Sequence, residues 1–386
     1  MILKDPLYGF ISIGEPFKSL MDTEQFQRLR NIKQLGQSYI VYSSANHTRF
    51  EHSIGTYYLA QKVAENNAIE NKDEFIAAAL LHDIGHYPFS HSIEKAVRQL
   101  TEKGHEQQSI EIIRNTNISK ILRDHGLDIE LICNYIEGKG KYASLISGQI
   151  DVDRMDYLKR DSYYTGVAYG IIESDVIINN YTIKGDDYIA DIKYLPAFES
   201  VLIARYLMYS MVYMHHRTII ANTMLRSAFI EALNNGDFKI EKLIEFDDID
   251  LISRFRSSSS PAKQLMDAIT KRNLYKEAII FSKDDFEDAG KMIGYDKVQE
   301  VEALIAKELK LNRYEVLINI MGFPKSNKSR ILISPSMKKL EDISPIVSSL
   351  NMAEWNHWFA GVYCQEKDID KIRQKKDMIR SYLIGK

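Results

Sequence analysis

The sequence has only two cysteines in 386 residues and no long uninterrupted hydrophobic run. Cys133 and Cys364 lie far apart without the spacing of a thiolate metal site, which excludes a disulfide framework and is typical of a reducing compartment. No signal-peptide core precedes the first charged residues, and charges interrupt the apolar segments before they reach membrane-spanning length. The sequence therefore predicts a cytoplasmic protein with no membrane partner.

An excess of either charge is also missing, because 50 Lys and Arg residues are balanced by 53 Asp and Glu residues, for a net charge of -3. This balance and a pI near 6.4 argue against a protein whose whole surface binds nucleic acid, although a local basic pocket is compatible with both. Hydrophobic residues make up 45% of the chain and charged residues 27%. That composition argues against disorder and allows a large core.

Helical hydrophobic spacing predicts a mainly α protein. The predicted helices are residues 22–36, a helix that opens at residues 46–52, an apolar helix ending at residue 82, amphipathic helices within residues 106–136, and one long helix over residues 196–225. Alternation around a Gly-Asp pair predicts a small β-hairpin over residues 181–192. The aromatic stripe of the long helix is by default core packing.

Turn-rich stretches at residues 234–237 and 256–261 predict two domains. These are a helical core over residues 1–236 and a C-terminal α+β lobe over residues 237–386. The lobe contains strand-like runs at residues 330–334 and 359–363, but it has no motif that indicates a chemical role. Its function is open.

Histidine, by contrast, is concentrated: six of the ten histidines fall within 59 residues, where an even spread would place roughly one or two. They are His47, His52, His82, His86, His91 and His105. An Ala-rich apolar helix ends in the pair His82-Asp83, and Gly85 and Pro88 then break it. Because an imidazole and a carboxylate buried side by side both need a partner, this pair predicts a cation site.

Residues 150–161 include seven charged residues but keep a buried side, so the segment either lines a cleft or forms a solvated helix face. If it lines a cleft, one divalent ion could be held by four residues, His52, His82, Asp83 and Asp153. Two imidazoles and two carboxylates suit Fe, Mn, Co, Ni or Zn. Vacant positions in such a shell are typical of a catalytic site.

The remaining parts of a phosphate-ester hydrolase lie nearby in the sequence. His105 could supply a proton, and the cations available for phosphate are Arg49, Arg154 and Lys159. Arg49 is equally compatible with a structural ion pair to a carboxylate such as Asp83. His47 is compatible with a simple helix cap.

Taken in order, these motifs resemble the HD-domain deoxynucleoside triphosphate triphosphohydrolases, a dGTPase-like group that includes the sterile-alpha-motif/HD-domain dNTPases. The matching blocks cover a little over half the chain. They are Asp5–Gly9, Phe26–Arg30, Gln34–Gly36, His47–His52, His82–His91, Asp151–Tyr157 and Tyr213–His215. The resemblance implies an HD-domain helical core and water attack on the α-phosphorus, which releases deoxynucleoside and triphosphate.

The resemblance also implies a role for each matching residue. The metal ligands would be His52, His82, Asp83 and Asp153. The catalytic group would be His105 with Glu94 as its orienting carboxylate, assisted by His86, His91 and Arg49. The triphosphate would contact Arg49, His86, His91, Arg154, Tyr157 and Arg205. Gln34 and Asp161 would bind the sugar 3′-hydroxyl, while Leu35 and Tyr213 would crowd the 2′ position and exclude ribose.

Partners and cofactors follow from the same resemblance. It implies a dNTP substrate and a protein that works as a dimer or tetramer. It also implies one divalent transition metal per subunit, with Fe, Mn, Ni, Co and Zn as candidates, and an additional Mg²⁺ as an option. A guanine-nucleotide activator would contact Asp22, Gln27 and Arg30. The alternatives are an HD phosphohydrolase for other nucleotides or nucleic-acid ends, and a nucleotide-, ssDNA- or RNA-binding protein with vestigial turnover. Nucleic acid is the less favoured partner.

Overall fold

The structure is a computed structural model that describes residues 1–185, 187–286, 292–322 and 331–385. Helices dominate these residues, which confirms the predicted mainly α fold. The α-helices are α1 Phe17–Met21, α2 Glu24–Gln27, α3 Arg49–Asn66, α4 Lys72–Leu81, α5 His91–Thr101, α6 His105–Asn115, α7 Asn117–Asp124, α8 Ile129–Ile136, α9 Val152–Thr165, α10 Ser174–Asn179, α11 Leu195–Met208, α12 His216–Asn234, α13 Asp248–Ser257, α14 Pro261–Thr270, α15 Val298–Leu309, α16 Leu340–Ile343, α17 Pro345–Asn356, α18 Ile369–Arg373 and α19 Lys376–Leu383. None of these helices combines the length and the apolar character that crossing a membrane would require.

The strands are short and form three small sheets among the described residues. They are β1 Ile2–Asp5, β2 Gly9–Ser12, β3 Tyr181–Lys184, β4 Asp187–Asp191, β5 Lys276–Ser282, β6 Val316–Ile320, β7 Ile331–Ser334, β8 Lys338–Lys339 and β9 Phe359–Cys364. β1 and β2 pair as an antiparallel hairpin at the N-terminus.

The central core is built from α3, α4 and α9. Thr48 caps α3 in a capping box with Glu51, so the helix opens where the sequence predicts. α4 is buried on all sides from residue 75 to residue 81, as its Ala-rich composition requires. α9 packs closely on α3 because Gly55 has no side chain: a Cβ there would lie 1.8 Å from the Oδ1 of Asp156.

The predicted hairpin over residues 181–192 is confirmed by the antiparallel pair of β3 and β4; its turn residue Asp186 lies outside the described residues. β7 joins this sheet by pairing in parallel with β4, and β8 pairs with β7. The predicted strand at residues 330–334 is therefore confirmed from Ile331 onwards, while Arg330 lies outside the described residues. The sheet draws on both sides of the proposed boundary at residues 236 and 237, which stays a prediction.

A second sheet in the C-terminal part has the antiparallel order β5-β9-β6. α15, α18 and α19 cover it and share its apolar core, in which Trp358 and Phe281 are fully buried. This arrangement confirms the predicted α+β character of the C-terminal part. α12 packs between α5 and α14 in a third core.

The predicted helix over residues 22–36 is wrong beyond its first turns. α2 ends at Gln27 and continues as a 3₁₀ turn over Arg28–Asn31. The backbone then becomes extended, because the Ile32 carbonyl accepts a hydrogen bond from the Arg49 amide at 2.9 Å and the Gln34 amide donates to the His47 carbonyl at 3.0 Å. Long-range pairing with the start of α3 replaces helical hydrogen bonds.

The predicted single helix over residues 196–225 is also wrong, because it is divided in two. α11 ends at Met208 and is followed by a π-helical turn over Tyr209–Tyr213. His215 then adopts an extended backbone and its side chain caps α12 by accepting a hydrogen bond from the Arg217 amide. The extra residue in the π turn changes the direction of the chain and therefore of the Tyr213 side chain.

Replacement of Gly55 tests the close approach of α3 and α9. We expect Gly55→Ala to lower the free energy of unfolding by about 1–3 kcal/mol or more, because the new Cβ overlaps a carboxylate that is itself buried. Denaturant unfolding followed by circular dichroism measures this. Gly14→Ala is the matched control, since nothing lies within 4 Å of its Cβ position. Equal stability of the two variants would contradict the packing described here.

Candidate active site

The start of α3, the end of α4 and the first turn of α9 converge on one cluster of polar side chains. His52, His82 and Asp83 are buried, and each offers one ligand atom within 4.8 Å of the others. Asp153 adds an Oδ1 that lies 3.0 Å from the Nε2 of His52 and 3.6 Å from that of His82. We refer to these four residues, His52, His82, Asp83 and Asp153, as the metal cluster.

Hydrogen bonds to the second ring nitrogens fix how the two imidazoles are presented. The Nδ1 of His82 donates to the carbonyl of Ala79 at 2.8 Å, and the Nδ1 of His52 donates to the Oδ2 of Asp156 at 2.8 Å. Neither Nε2 has a hydrogen-bond partner among the described residues, although both atoms are buried. Two buried nitrogen lone pairs aimed at two carboxylates are the donor set of a divalent cation, with outer hydrogen bonds of the usual kind. The residues present thus fit a metal ion.

The electrostatics of the cluster indicate that a positive charge belongs in it. Burial disfavours the charged imidazole of His52, but Asp153 and Asp156 outweigh burial and raise its pKa to about 10. Burial likewise opposes ionisation of Asp83, yet the Arg49 guanidinium, followed by His82, holds the pKa of this carboxyl well below its usual range. A metal ion would take the place of the proton on His52.

Arg49 fits both roles that the sequence allows for it, a structural ion pair with a carboxylate and the binding of phosphate. Its Nη1 donates a short hydrogen bond to the Oδ2 of Asp83, and its Nε donates to the Oγ of Ser90 at 2.6 Å. Its Nη2 is buried with no hydrogen-bond partner in the described part of the chain, and the side chain lines a cavity. Arg49 therefore neutralises Asp83 structurally and still has a donor for a ligand.

His105 lies beside the cluster at the first position of α6. Its Nδ1 donates to the Oε1 of Glu94 at 2.5 Å, and the Oε2 of the same carboxylate accepts from the Nδ1 of His91 at 2.8 Å. Burial disfavours protonation of His105, but Glu94 raises its pKa above the ordinary value. Glu94 thus orients both imidazoles and favours the protonated form of His105, which is the arrangement of a general acid.

A second group of potential ligands consists of Asp83, His86 and His105. The rings of His86 and His105 are stacked, with centroids 4.1 Å apart and an interplanar angle of 15°. An imidazole binds a metal in the plane of its ring through the nitrogen lone pair, and two nearly parallel stacked planes do not meet at one ion. This pair is therefore not a second metal site, and an additional Mg²⁺ would need other ligands.

Gly85 allows α6 to bring His105 close to the cluster. A Cβ at this position would lie 2.4 Å from the His105 carbonyl oxygen and 2.2 Å from the Ser109 amide nitrogen. Instead, the Gly85 amide donates to the Oγ of Ser109 at 2.9 Å, and this hydroxyl donates to the His82 carbonyl at 2.7 Å. Gly85, in the turn that follows α4, is therefore also the contact point of α6.

The loop between α4 and α5 is strained, because Phe89 and Ser90 have positive φ angles of 57° and 47°. Asp248, at the first position of α13, holds this loop: its Oδ1 accepts from the Phe89 amide at 2.6 Å and its Oδ2 from the Lys33 amide at 3.0 Å. Burial raises the pKa of Asp248 to about 6 despite these two hydrogen bonds. A residue distant in sequence thus fixes the backbone that leads to His91.

Arg28 holds the same loop from its other side. Its Nη2 donates to the carbonyls of Ile84 at 3.0 Å and His86 at 2.8 Å, while its Nη1 donates to the Phe246 carbonyl at 2.8 Å. Burial lowers the pKa of this guanidinium to about 10. Because three carbonyls share one cation, the position of His86 is tied to the 3₁₀ turn that follows α2.

A cavity of about 550 Å³ opens beside the metal cluster, a size typical of small-molecule sites. It is lined by eight of the residues that the family resemblance singles out. They are Gln34, Leu35, Arg49, His91, Tyr157, Asp161, Arg205 and Tyr213. The Oε1 of Gln34 is buried without a hydrogen-bond partner among the described residues, which leaves an acceptor for a ligand hydroxyl.

Asp161 is held in this cavity by two neighbours. Its Oδ1 lies 2.7 Å from the Nε2 of His47, and its Oδ2 accepts from the Tyr213 hydroxyl at 2.6 Å. The His47 ring also stacks on Tyr164, with centroids 4.6 Å apart. His47 is therefore not a helix cap, since Thr48 caps α3, and instead positions a carboxylate of the cavity wall.

The remaining predicted residues lie outside the cavity. Arg154 donates to the Oε1 of Gln149 at 3.2 Å. Burial lowers the pKa of its guanidinium, but the negative charge of Asp151 and its neighbours outweighs burial, so the pKa is raised. Asp22, Gln27 and Arg30 group on the surface near α2, where the Arg30 Nε donates to the Gln27 Oε1 at 2.8 Å.

Several residues that support the site leave little or no local signal in the sequence. Asp156 lies three residues after Asp153 on α9, and this spacing on a charged amphipathic segment is a signal that could have found it. His47 belongs to the histidine-rich region but gave no sign of its contact with Asp161. Arg28 and Asp248 act through long-range hydrogen bonds to backbone atoms, and no local pattern marks such contacts.

Comparison with known proteins places these observations in a family. The HD domain matches residues 49–161, and the HD associated region matches residues 172–382. The chain is 36% identical to an uncharacterised protein of Methanocaldococcus jannaschii, over 99% of this chain and 83% of that protein. It is 31% identical to a deoxynucleoside triphosphate triphosphohydrolase SAMHD1 homolog of Dictyostelium discoideum, over 81% and 68% of the two chains. A crystal structure of a phosphohydrolase from Bacteroides thetaiotaomicron superposes with a TM-score of 0.75 at 26% identity, covering 95% of this chain and 99% of that one.

Removal of Asp153 tests the metal cluster. We expect Asp153→Ala to weaken metal binding at least about 100-fold, because changes outside the ligand shell already cost about 10–100-fold. Helix content should stay the same, since the Asp153 side chain is 31% exposed and α9 is capped by Asp151, not by Asp153. Elemental analysis after metal loading and circular dichroism measure both effects. Asp124→Ala, at the exposed end of α7, is the control, and full metal occupancy in Asp153→Ala would show that the fourth ligand is another residue.

Proposed function

The chain belongs to the HD-domain family and is an HD-superfamily phosphohydrolase, and on this premise we propose that it hydrolyses deoxynucleoside triphosphates to deoxynucleoside and triphosphate. One observation carries the proposal: a single cavity joins the edge of the metal cluster at Arg49 to a wall built from Leu35, Asp161 and Tyr213. Such a cavity offers cations to a polyphosphate and a carboxylate to a sugar hydroxyl within one space. The Dictyostelium relative, whose name describes this reaction, supports the same substrate class.

The metal cluster and its neighbours provide the groups that phosphate-ester hydrolysis needs. A divalent ion held by His52, His82, Asp83 and Asp153 would supply Lewis-acid chemistry for water and a phosphoryl oxygen. We propose Fe, Mn, Ni, Co or Zn as its identity, because the ligands are mixed nitrogen and oxygen donors. His105, protonated and oriented by Glu94, donates a proton to the leaving 5′-oxygen. His86 lies between His105 and the metal cluster: its ring stacks on His105, and its Nε2 lies 3.2 Å from the Oδ1 of Asp83.

The triphosphate would lie along the cationic wall of the cavity. Arg49 presents there its Nη2, which has no hydrogen-bond partner among the described residues, and Arg205, Tyr157 and His91 line the same space. The Arg205 Nη1 lies 3.6 Å from the Oε1 of Glu354, and a planar guanidinium matches the geometry of phosphate oxygens.

The sugar would lie against Asp161. Because both oxygens of this carboxylate already have partners, its position is fixed before a ligand binds. A 3′-hydroxyl can donate its one hydrogen bond to this carboxylate or to the Oε1 of Gln34, which has no partner among the described residues. Leu35 and the Tyr213 ring would then leave no room for a 2′-hydroxyl. A ribonucleotide would lose both space and a hydrogen-bond partner.

We further propose that a guanine nucleotide activates the enzyme at the surface group of Asp22, Gln27 and Arg30, and that the protein works as a dimer or tetramer in the cytoplasm. The group lies outside the cavity, so an activator there would not compete with substrate. Arg28, in the same turn as Arg30, connects this surface to the carbonyl of His86.

Product analysis tests the substrate proposal. Protein loaded with Mn²⁺ should convert a dNTP into deoxynucleoside and intact triphosphate in a one-to-one ratio, and ion-exchange chromatography separates these from other products. The reaction should be undetectable with Asp153→Ala under the same conditions. Orthophosphate or pyrophosphate as the first product would indicate another HD phosphohydrolase reaction and overturn the proposal.

Truncation of Leu35 tests the discrimination against ribose. We expect Leu35→Ala to raise the ratio of kcat/KM for rNTP to that for dNTP roughly tenfold, because removal of methyl and methylene groups opens space for one hydroxyl. Leu35→Met, which keeps the side-chain volume, is the matched control and should change the ratio little. Steady-state kinetics with one base in both sugar forms measures it. An unchanged ratio in Leu35→Ala would exclude Leu35 as the residue that rejects ribose.

A further inference from the structure

The far end of the cavity is lined by residues that have no role in the site described so far. Lys95 lies one helical turn after His91 on α5, and Arg226 lies in the middle of α12. Tyr295 and Asn319 complete the wall from the C-terminal part of the chain. We refer to these residues, Lys95, Arg226, Tyr295 and Asn319, as the cationic end of the cavity.

Two cations approach one aromatic ring at the cationic end. The Nζ of Lys95 lies 5.2 Å from the centroid of the Tyr295 ring, and the guanidinium carbon of Arg226 lies 5.8 Å from it. The surrounding protein and then the charge of Arg226 lower the pKa of Lys95. The two positive charges are therefore close enough to repel each other.

The described carboxylates do not neutralise both charges. Arg226 is 4% exposed and is paired with Glu302, while its Nη1 donates to the Ile318 carbonyl at 3.0 Å. Its Nε is buried without a hydrogen-bond partner in the described ranges. Lys95 is within an ion-pair distance of none of the described carboxylates, although the charge of its neighbour Glu94 acts on it and partly offsets the fall of its pKa. Glu302 is paired with Arg226, and Glu94 is already bonded to two imidazoles. A positive charge therefore faces the cavity, which an anion would neutralise.

We propose that the cationic end is a second phosphate subsite, separate from Arg49 and Arg205, in which Lys95 and Arg226 bind a phosphate group. Asn319 and the Tyr295 hydroxyl provide the additional donors that phosphate oxygens require. The phosphate is either the terminal one of the nucleotide in the cavity or that of a separate molecule. The first of these sources rests on the proposed function, whereas the subsite itself rests only on the cavity and its charges.

Anion binding by the metal-loaded full-length protein tests the subsite. Isothermal titration calorimetry with inorganic triphosphate and with orthophosphate should be done on four proteins: the wild type, Lys95→Gln, Lys95→Arg and Lys120→Gln. We expect Lys95→Gln to weaken triphosphate binding by about tenfold or more, since a charge-assisted hydrogen bond is lost. Lys95→Arg keeps the charge and should remain within about threefold of wild type. Lys120→Gln, on the exposed face of α7, should bind as the wild type does.

The two sources of phosphate give different results. If the subsite holds the nucleotide's own terminal phosphate, Lys95→Gln also raises the KM for dNTP about tenfold and leaves orthophosphate binding unchanged. If it holds a separate phosphate, orthophosphate binding weakens about tenfold while the KM stays constant. Unchanged binding of both anions by Lys95→Gln would overturn the subsite. Loss of triphosphate affinity in a protein that hydrolyses no dNTP would refute the proposed substrate and support the subsite, so the two failures are distinguishable.

Discussion

The structure depends on how one buried carboxylate, that of Asp83, is neutralised. It lies two residues after the end of α4 and is buried, so an unpaired charge there would be strongly unfavourable. Arg49 from α3 donates to one oxygen, and the Nε2 of His86 lies 3.2 Å from the other. The start of α3, the end of α4 and the loop after it must therefore come together for the chain to fold. The same requirement assembles the metal cluster, so the site is a product of the core and not an addition to it.

A second constraint links α3 to α9. Arg160 is fully buried and donates to both oxygens of Asp156 and to Asp5 of β1, while Asp156 also accepts from His52. The bare backbone at Gly55 lets these groups approach. Helix packing and the orientation of a metal-cluster imidazole thus rest on the same carboxylate, and neither can change without the other. An exact orientation of this kind is what a ligand needs to reach a metal ion with little reorganisation.

Local chemistry explains what the sequence could predict. The apolar run that ends at His82-Asp83, the charged segment around Asp153 and the capped start of α3 each leave a pattern within a few residues, and together these patterns predict the metal cluster. The eight predicted residues that line the cavity are instead implied by the family resemblance or, for Arg49, by its place in the sequence. Features that depend on contacts between distant residues leave no such pattern in the sequence. Apolar spacing continues through the π turn that ends at Tyr213, so periodicity alone predicts an unbroken helix. The bonds of Asp248 to Phe89 and Lys33 join segments far apart in the chain, and only the fold brings them together.

The parallel pairing of β4 with β7 has a consequence for the order of folding. During synthesis β4 leaves the ribosome long before Ile331–Ser334, so for that period one edge of the nascent hairpin exposes unpaired amide and carbonyl groups. Such an edge is a template for pairing with another chain. Closing it needs a contact of very high sequence separation, which is slow to form. The hairpin is therefore most open to pairing with another chain in the interval before its last strand partner is made.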